Sequence, residues 1–382
     1  VDFGLTDDQQ GLKQLCRDFA RREIAPNAGE WWEKEVFPTD VFRQMGELGL
    51  MGLLVPEDYG GTNAGMVAYV AAMEEIGGAD QSVGAAWNAH ITIGSLPILA
   101  FGTEAQKQRW LRPLAEGRNI GAFGLTEPQA GSDAAGIRTR AERDGDSWVV
   151  NGTKMFISNA GTDMSLGVTI LAVTGRDGDG HKQFGSFFIP DDTPGYTKGE
   201  RLRKVGWHGL DTRELVFDDC RVGADHLIGE EGHGLRQFLK VLGAGRISVA
   251  ALSLSLAAAA LDMAVAYARE RTQFGRPISG FQAIQHKLAD MATQVEAARG
   301  LVYRAAWLYD AGLPFDKEAA MAKLFASEVA NRVASDAVQV HGGYGYMRES
   351  AIARFFCDAK ILEIGEGTNE IQRSVIARSL GC

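Results

Sequence analysis

Twice along this chain the spacing of apolar residues changes its period. Up to residue 118 they recur about every 3.6 positions, from Ile120 about every 2, and from Gly234 about every 3.6 again. A helix and a strand turn different residues toward a core, so a segment written for one period cannot bury its apolar face in the other form. The chain is therefore expected to fold as α, then β, then α: an α+β multi-domain protein. The expected blocks are an N-terminal helical domain over 1–118, a middle β-barrel or sandwich over 119–232, and a C-terminal helical bundle over 233–382. No repeat and no low-complexity linker separates them, so they should pack as one body.

Local signals support each block. Thr6 with Gln9, and Thr103 with Gln106, have the spacing of capping boxes, and Gly117 is placed to close the second helix. Pro38-Thr39-Asp40 should start a further helix, ending at the turn Pro56–Gly61. In the middle block Asp144-Gly145 and Asn151-Gly152 read as hairpin turns. The strand-rich segments 166–174, 186–189 and 214–217 have no helical pattern between them, which favours an antiparallel sheet over βαβ units. In the last block Ile284, Leu288, Met291 and Val295 mark one apolar helix face, and Ala326, Val329, Val333, Ala337 and Val340 another.

Charge and cysteines narrow the function classes. The 382 residues carry a net charge of −10, which argues against a nucleic-acid or anionic-membrane footprint. Cys16, Cys220, Cys357 and Cys382 form no short spacing, so neither a disulfide framework nor a zinc site is expected. His226 and His233 flank an acidic, Gly-rich turn, and no metal is assigned there. The run Ile247–Leu261 is uncharged, but it is shorter than the ~20 residues of a membrane span and contains Ser248, Ser253 and Ser255. It is expected to be a buried bundle helix. The acidic start VDFGLTDDQQ has no secretory h-region. The expected location is cytoplasmic, or the mitochondrial matrix if a transit peptide has been removed.

No GxGxxG, GxxxxGK[ST] or GxSxG motif occurs. Three Gly-rich polar loops remain. Phe123–Asp133 could hold a polar ligand on its backbone N–H groups and hydroxyls, or be a capped turn. Gln339–Gly345 reads equally as a helix stop. Glu363–Glu370 places Glu366 between two glycines ahead of a helix capped by Thr368. Its carboxylate either favours the positive helix end or reaches into a cleft.

Together these segments resemble the acyl-CoA dehydrogenase family. TEPQAGSD (126–133), RTQFGRPISGFQAIQHKLADM (271–291), QVHGGYGYMRE (339–349), EGTNEIQR (366–373) and PEDYGG (56–61) stand in the family's order across the chain. The resemblance implies the family fold, with a C-terminal four-helix bundle, and FAD as cofactor. By residue match, Phe123, Leu125, Thr126, Ser132, Phe156 and Ser158 would lie against the flavin. Arg271, Gln273, Phe274, Gln282, Gln339, Gly342 and Gly343 would reach the diphosphate and adenosine part from a neighbouring subunit. Thr368 and Glu370 would make a contact at the last helix. Phe156, Ser158 and Gln273 stand where relatives often carry Trp, Thr and Thr.

The resemblance also implies the reaction: FAD-dependent α,β-dehydrogenation of an acyl-CoA thioester to the 2-enoyl-CoA. Glu366 matches the α-proton base, while Ser132, Gly243, Arg246 and Gly367 match substrate contacts. Some members carry the base just before the Arg of the long helix, and Gly245 occupies that position here. Gly365 stands where many relatives have Tyr. KVGWHG (204–209) and LGAGRISVAA (242–251) look most like short-chain or short-branched members. Trp87 could plug the acyl pocket or simply face the core. The implied partners are an electron-transfer flavoprotein as electron acceptor and identical subunits in a homotetramer, a dimer of dimers. Competing readings are an acyl-CoA oxidase or flavin monooxygenase on the same fold, and a non-catalytic flavoprotein scaffold.

Overall fold

The structure, a computed structural model, describes residues 4–382; residues 1–3 of the first block lie outside them. Helices from Asp7 to Ala115 form the first block. Both expected capping boxes are present: the Thr6 and Thr103 hydroxyls accept from the N–H groups of Gln9 and Gln106, whose side chains bond back. The helix starting at Thr39 ends at Glu47, well before Pro56. Gly46 and Gly49 weaken its continuation, and a short 3₁₀ turn, Leu50–Gly52, follows.

The middle block contains β1 (Ile120–Gly124), β2 (Arg140–Asp144), β3 (Ser147–Ser158), β4 (Ser165–Arg176), β5 (Lys182–Pro190), β6 (Tyr196–Arg201), β7 (Thr212–Gly223) and β8 (Leu227–Ile228). They form one sheet in the order β6-β7-β3-β2-β4-β5-β8, with β1 added on β4. Most ladders are antiparallel, as expected, but β1 runs parallel to β4 and β2 meets β4 in parallel at one bridge. The loop after β1 and the β2–β3 hairpin lie between β1 and β4, which is enough chain for a parallel return.

Of the two hairpin signals only one makes a turn. Gly145-Asp146 joins β2 to β3, with Gly145 at φ 62°. Asn151-Gly152 instead runs straight through β3 as a bulge, where the register with β7 shifts. Tertiary contacts override the local preference: the Asn151 amide bonds both ways to Asp219 on β7. A Cβ on Gly152 would lie 2.5 Å from Thr139 Oγ1.

The last block is built on the long helices Gly234–Glu270, Gln282–Asp310 and Asp316–His341, with the shorter Asn369–Ser379 against the third. By length and composition Gly234–Glu270 could cross a membrane, but it is the central helix of the protein. Its serines are satisfied internally: Ser248, Ser253 and Ser255 donate to the carbonyls of Gly245, Val249 and Leu252.

The two helical blocks share one core, in which Met45, Trp87, Leu252 and Val329 are buried together, while the sheet has its own around Trp148, Ile170 and Phe187. Polar contacts stitch the blocks. Asp310, ending a C-terminal helix, accepts from the N–H groups of Met66 and Val67, which open an N-terminal one. His90 accepts from the Gly121 N–H on β1 through Nδ1 at 3.0 Å, so its Nε2–H donates to the Met51 carbonyl. Burial lowers this imidazole to about 4, so it stays neutral as a strut between helices and sheet.

Candidate active site

The loop leaving β1 is fixed from beneath by a buried ion pair. Lys154 on β3 donates to Glu127 at 2.8 Å and to the Leu125 carbonyl at 3.2 Å. Glu127 also accepts from the N–H groups of Arg138 and Thr139. Burial alone would raise the Glu127 carboxyl; the ammonium and the N–H groups outweigh it and hold it at about 2. Leu125 and Thr126 are thereby kept half-buried at the loop's start, while Ser132 is exposed. Phe123 is a core residue, stacked on Phe238 at 4.2 Å. On β3, Ser158 is half-buried, and Phe156 is 65% exposed with φ at 64°.

Lys154→Met should leave Glu127 as an unpaired buried charge. A loss of about 3–5 kcal/mol in unfolding free energy is expected from denaturant titration. A loss under about 1 kcal/mol would show that the pair does not hold the loop.

Glu366 lies in the turn ahead of the last helix, Asn369–Ser379. It adopts φ 52°, uncommon for a residue with a Cβ, and Gly367 follows at φ 93°. Two side chains hold the turn: Lys323 Nζ and Gln372 Nε2 donate to the Gly367 carbonyl at 2.9 and 2.8 Å. The carboxylate points inward. Its Oε1 accepts from Asn88 Nδ2 at 2.9 Å, while Oε2 is closed to solvent and has no partner, although the residue as a whole is only half-buried. Burial raises this carboxyl to about 7; the Asn88 hydrogen bond and the charges of Lys323 and Arg246 oppose the rise. Arg246 is half-buried, its Nε unpartnered.

The position before Arg246 completes the geometry. A Cβ on Gly245 would come 1.9 Å from Glu366 Oε2, so a side chain at 245 and this carboxylate cannot share the space. Ile93 is the next nearest group, and it also packs against the cluster that contains Phe123 and Ala130. The carboxylate and the β1 loop thus border one region. Gly243 is buried against Asp316. A Cβ on Gly365 would make only an ordinary contact, 3.5 Å from the Ile361 carbonyl, so this glycine leaves space open. Thr368 caps the last helix, accepting from the Ile371 N–H, and Glu370 is exposed in its first turn.

A second group gathers on the outer face of the bundle. Arg271, Gln273, Gly342 and Gly343 line an open pocket of about 490 Å³ with Tyr267 and Tyr344. Phe274, Gln282 and Gln339 are exposed nearby in sequence but do not line it, and Phe274 is 92% exposed. A Cβ on Gly342 or Gly343 would meet nothing within 4 Å.

These features fit a ligand with a flat aromatic end and an anionic diphosphate. Phe156 offers an exposed aromatic ring, Glu366 an orphaned buried carboxylate oxygen, and the outer pocket a guanidinium beside bare glycine backbone.

Sequence reasoning left Trp87 open between pocket and core, and the structure puts it in the core. The ring is fully buried beside Tyr69, and its indole N–H donates to the Leu50 carbonyl at 3.1 Å. It missed Asn88, Tyr69 and Lys323. The available signal was polarity out of pattern: Lys323 follows Ala319 and Ala322 on an apolar face, and Asn88 ends a wholly buried helix. His226 Nδ1 bonds the Phe188 carbonyl and His233 pairs with Glu230. Asp177, Asp179 and His181 gather at the exposed turn between β4 and β5.

Comparison with known proteins gives the same assignment. Residues 6–118, 122–220 and 232–381 match the acyl-CoA dehydrogenase N-terminal, middle and C-terminal domains. A probable acyl-CoA dehydrogenase of Bacillus subtilis is 50% identical over 380 residues, covering 100% of both chains. An acryloyl-CoA reductase (NADH) of Anaerotignum propionicum is 43% identical over 382 residues, covering 100% of this chain and 96% of its own. The solved butyryl-CoA dehydrogenase of Megasphaera elsdenii superposes with a TM-score of 0.96 at 43% identity, covering 100% of both chains. The chain belongs to the acyl-CoA dehydrogenase family of FAD-dependent oxidoreductases.

Proposed function

We propose that this protein oxidises a short or short-branched acyl-CoA thioester to its 2-enoyl-CoA, with Glu366 as the α-proton base. The observation that carries the reading is the Glu366 carboxylate: buried, held by one oxygen, and bare at the other. Similarity to a butyryl-CoA dehydrogenase and to a short-chain specific acyl-CoA dehydrogenase supports the short-chain assignment.

The α-C–H of a thioester is weakly acidic, and Glu366 Oε2 takes this proton. A base near neutrality suits the task, because it is ionised at working pH yet strong enough to accept the proton. FAD, when bound, supplies the acceptor for the hydride leaving the β-carbon. Arg246 and Lys323 keep positive charge near the base, which favours its ionised form. The Glu127–Lys154 pair keeps Leu125 and Thr126 in place for the flavin, and Arg271 with Gly342 and Gly343 takes the diphosphate.

The pH dependence follows from the direction of the Glu366 shift. The base acts when ionised, so activity is full above about 7 and falls as pH drops through that value. A kcat/KM profile for butyryl-CoA should show an acid limb near 7; a limb near 4.5, the ordinary value, would remove the buried base from the mechanism.

We further propose a homotetramer, a dimer of dimers, with electrons passing to an electron-transfer flavoprotein. The outer pocket is open and flanked by exposed Phe274, Tyr344, Tyr346 and Met347, as expected if a second copy closes it. The acryloyl-CoA reductase relative raises the reverse direction as a second reading. The chain has no GxGxxG dinucleotide motif of its own. NADH consumption by the isolated protein with a 2-enoyl-CoA would favour that reading; reduction by an acyl-CoA alone favours the first.

A further inference from the structure

One oxygen of Glu366 is held and the other is bare. Asn88 Nδ2 donates to Oε1 at 2.9 Å, across 278 residues of sequence. An amide has two different ends, and only its N–H end can face a carboxylate; the carbonyl end would set lone pairs against lone pairs. The carboxylate thus sets the orientation, and the Tyr69 hydroxyl satisfies the other end. It donates to Asn88 Oδ1 at 3.3 Å from a fully buried position, so the amide's carbonyl end is already taken.

The backbone at Asn88 is equally fixed. Its carbonyl accepts from Thr92 Oγ1 at 2.9 Å, within the π-helical turn Ala89–Gly94. The preceding residue, Trp87, is anchored through its indole to Leu50. Asn88 therefore stands on a rigid support, in contact with the carboxylate but on the side away from the bare oxygen.

We propose that Asn88 is a positioning residue for the base: its amide, locked by Tyr69, holds one oxygen of Glu366 so that the other is presented, desolvated and unpartnered, to the substrate's α-C–H. This rests on Glu366 being the base. The other groups facing the carboxylate are Tyr69 from the helix Met66–Ala79, Arg246 from Gly234–Glu270 and Lys323 from Asp316–His341, with Asp316 beyond Arg246. Burial raises Tyr69 well above its ordinary value, so it stays neutral, and the two cations remain in any Asn88 variant. A hydrogen bond given to the ionised carboxylate favours that form; removing it shifts proton uptake to higher pH.

The test is Asn88→Leu, near in volume but without a donor, read by pH profile and by the split between kcat and KM. With flavin content unchanged, kcat for butyryl-CoA should fall about tenfold while KM changes by less than about threefold, with the acid limb moving up by about one pH unit. Tyr69→Phe, which removes one hydroxyl, should move the limb the same way by about half as much, and carries the test if Asn88→Leu fails to fold. An unmoved acid limb in a flavin-replete variant overturns the positioning role. The two readings separate on Glu366→Gln. If that variant is inactive while the Asn88→Leu limb stays in place, only the positioning role falls; if it stays active, the base assignment falls as well.

Discussion

Glu366→Gln is expected to give a yellow protein that binds acyl-CoA and fails to reduce its flavin. The substitution keeps the shape of the side chain and the left-handed turn of the loop, which Lys323 and Gln372 hold through the Gly367 carbonyl rather than through the carboxylate. What it removes is the acceptor for the α-proton. A positioned base contributes about 10²–10⁴-fold, so the anaerobic rate of flavin bleaching by butyryl-CoA should fall by at least 10²-fold. Flavin content and the affinity for enoyl-CoA product should change by less than about threefold, because neither depends on charge at position 366. Bleaching at the original rate would place the base elsewhere in the molecule. Gly245 is then the wrong place to look: it carries no side chain, and one there would collide with the Glu366 carboxylate.

The second large effect is expected at the outer pocket. Arg271→Ala should weaken FAD binding by about 10–100-fold, the scale of one charge-assisted hydrogen bond to a diphosphate. Among the described residues no carboxylate pairs with Arg271; its guanidinium stacks over Tyr344, 5.6 Å from the ring centre. Its charge is therefore free for a ligand, and its loss should cost the apoprotein little stability. If two copies share each flavin, the same substitution should shift the assembly toward smaller species in light scattering, and added FAD should reverse the shift. Stoichiometric FAD in a monodisperse monomer would end the proposal of a shared site.

The surroundings of the Glu366 carboxylate draw on two blocks: Asn88 comes from the first, and Arg246 and Lys323 come with Glu366 from the third. The same two blocks share one core, and the buried His90 joins the first to the sheet. Rigid packing around the carboxylate sets its proton affinity, because desolvation is a property of everything that surrounds the group.

The sequence by itself determined what depends on near neighbours in the chain. The two changes of period fixed the α–β–α order, and the Thr6 and Thr103 capping boxes formed as written, since a cap needs only residues three apart. The motifs placed Glu366, Arg271 and the β1 loop in their family roles as expectations. Tertiary structure alone decided the rest. Asn151-Gly152 became a bulge because Asp219 and Thr139 press on it from other strands, and β1 joined β4 in parallel because the chain between them is long enough to return. Trp87 went to the core because Leu50 offered its indole a carbonyl there. Asn88, backed by Tyr69 on the preceding helix, reaches Glu366 across 278 residues of sequence, and Lys323 holds the next carbonyl from the third block; only the folded chain leaves one carboxylate oxygen bare while satisfying the other.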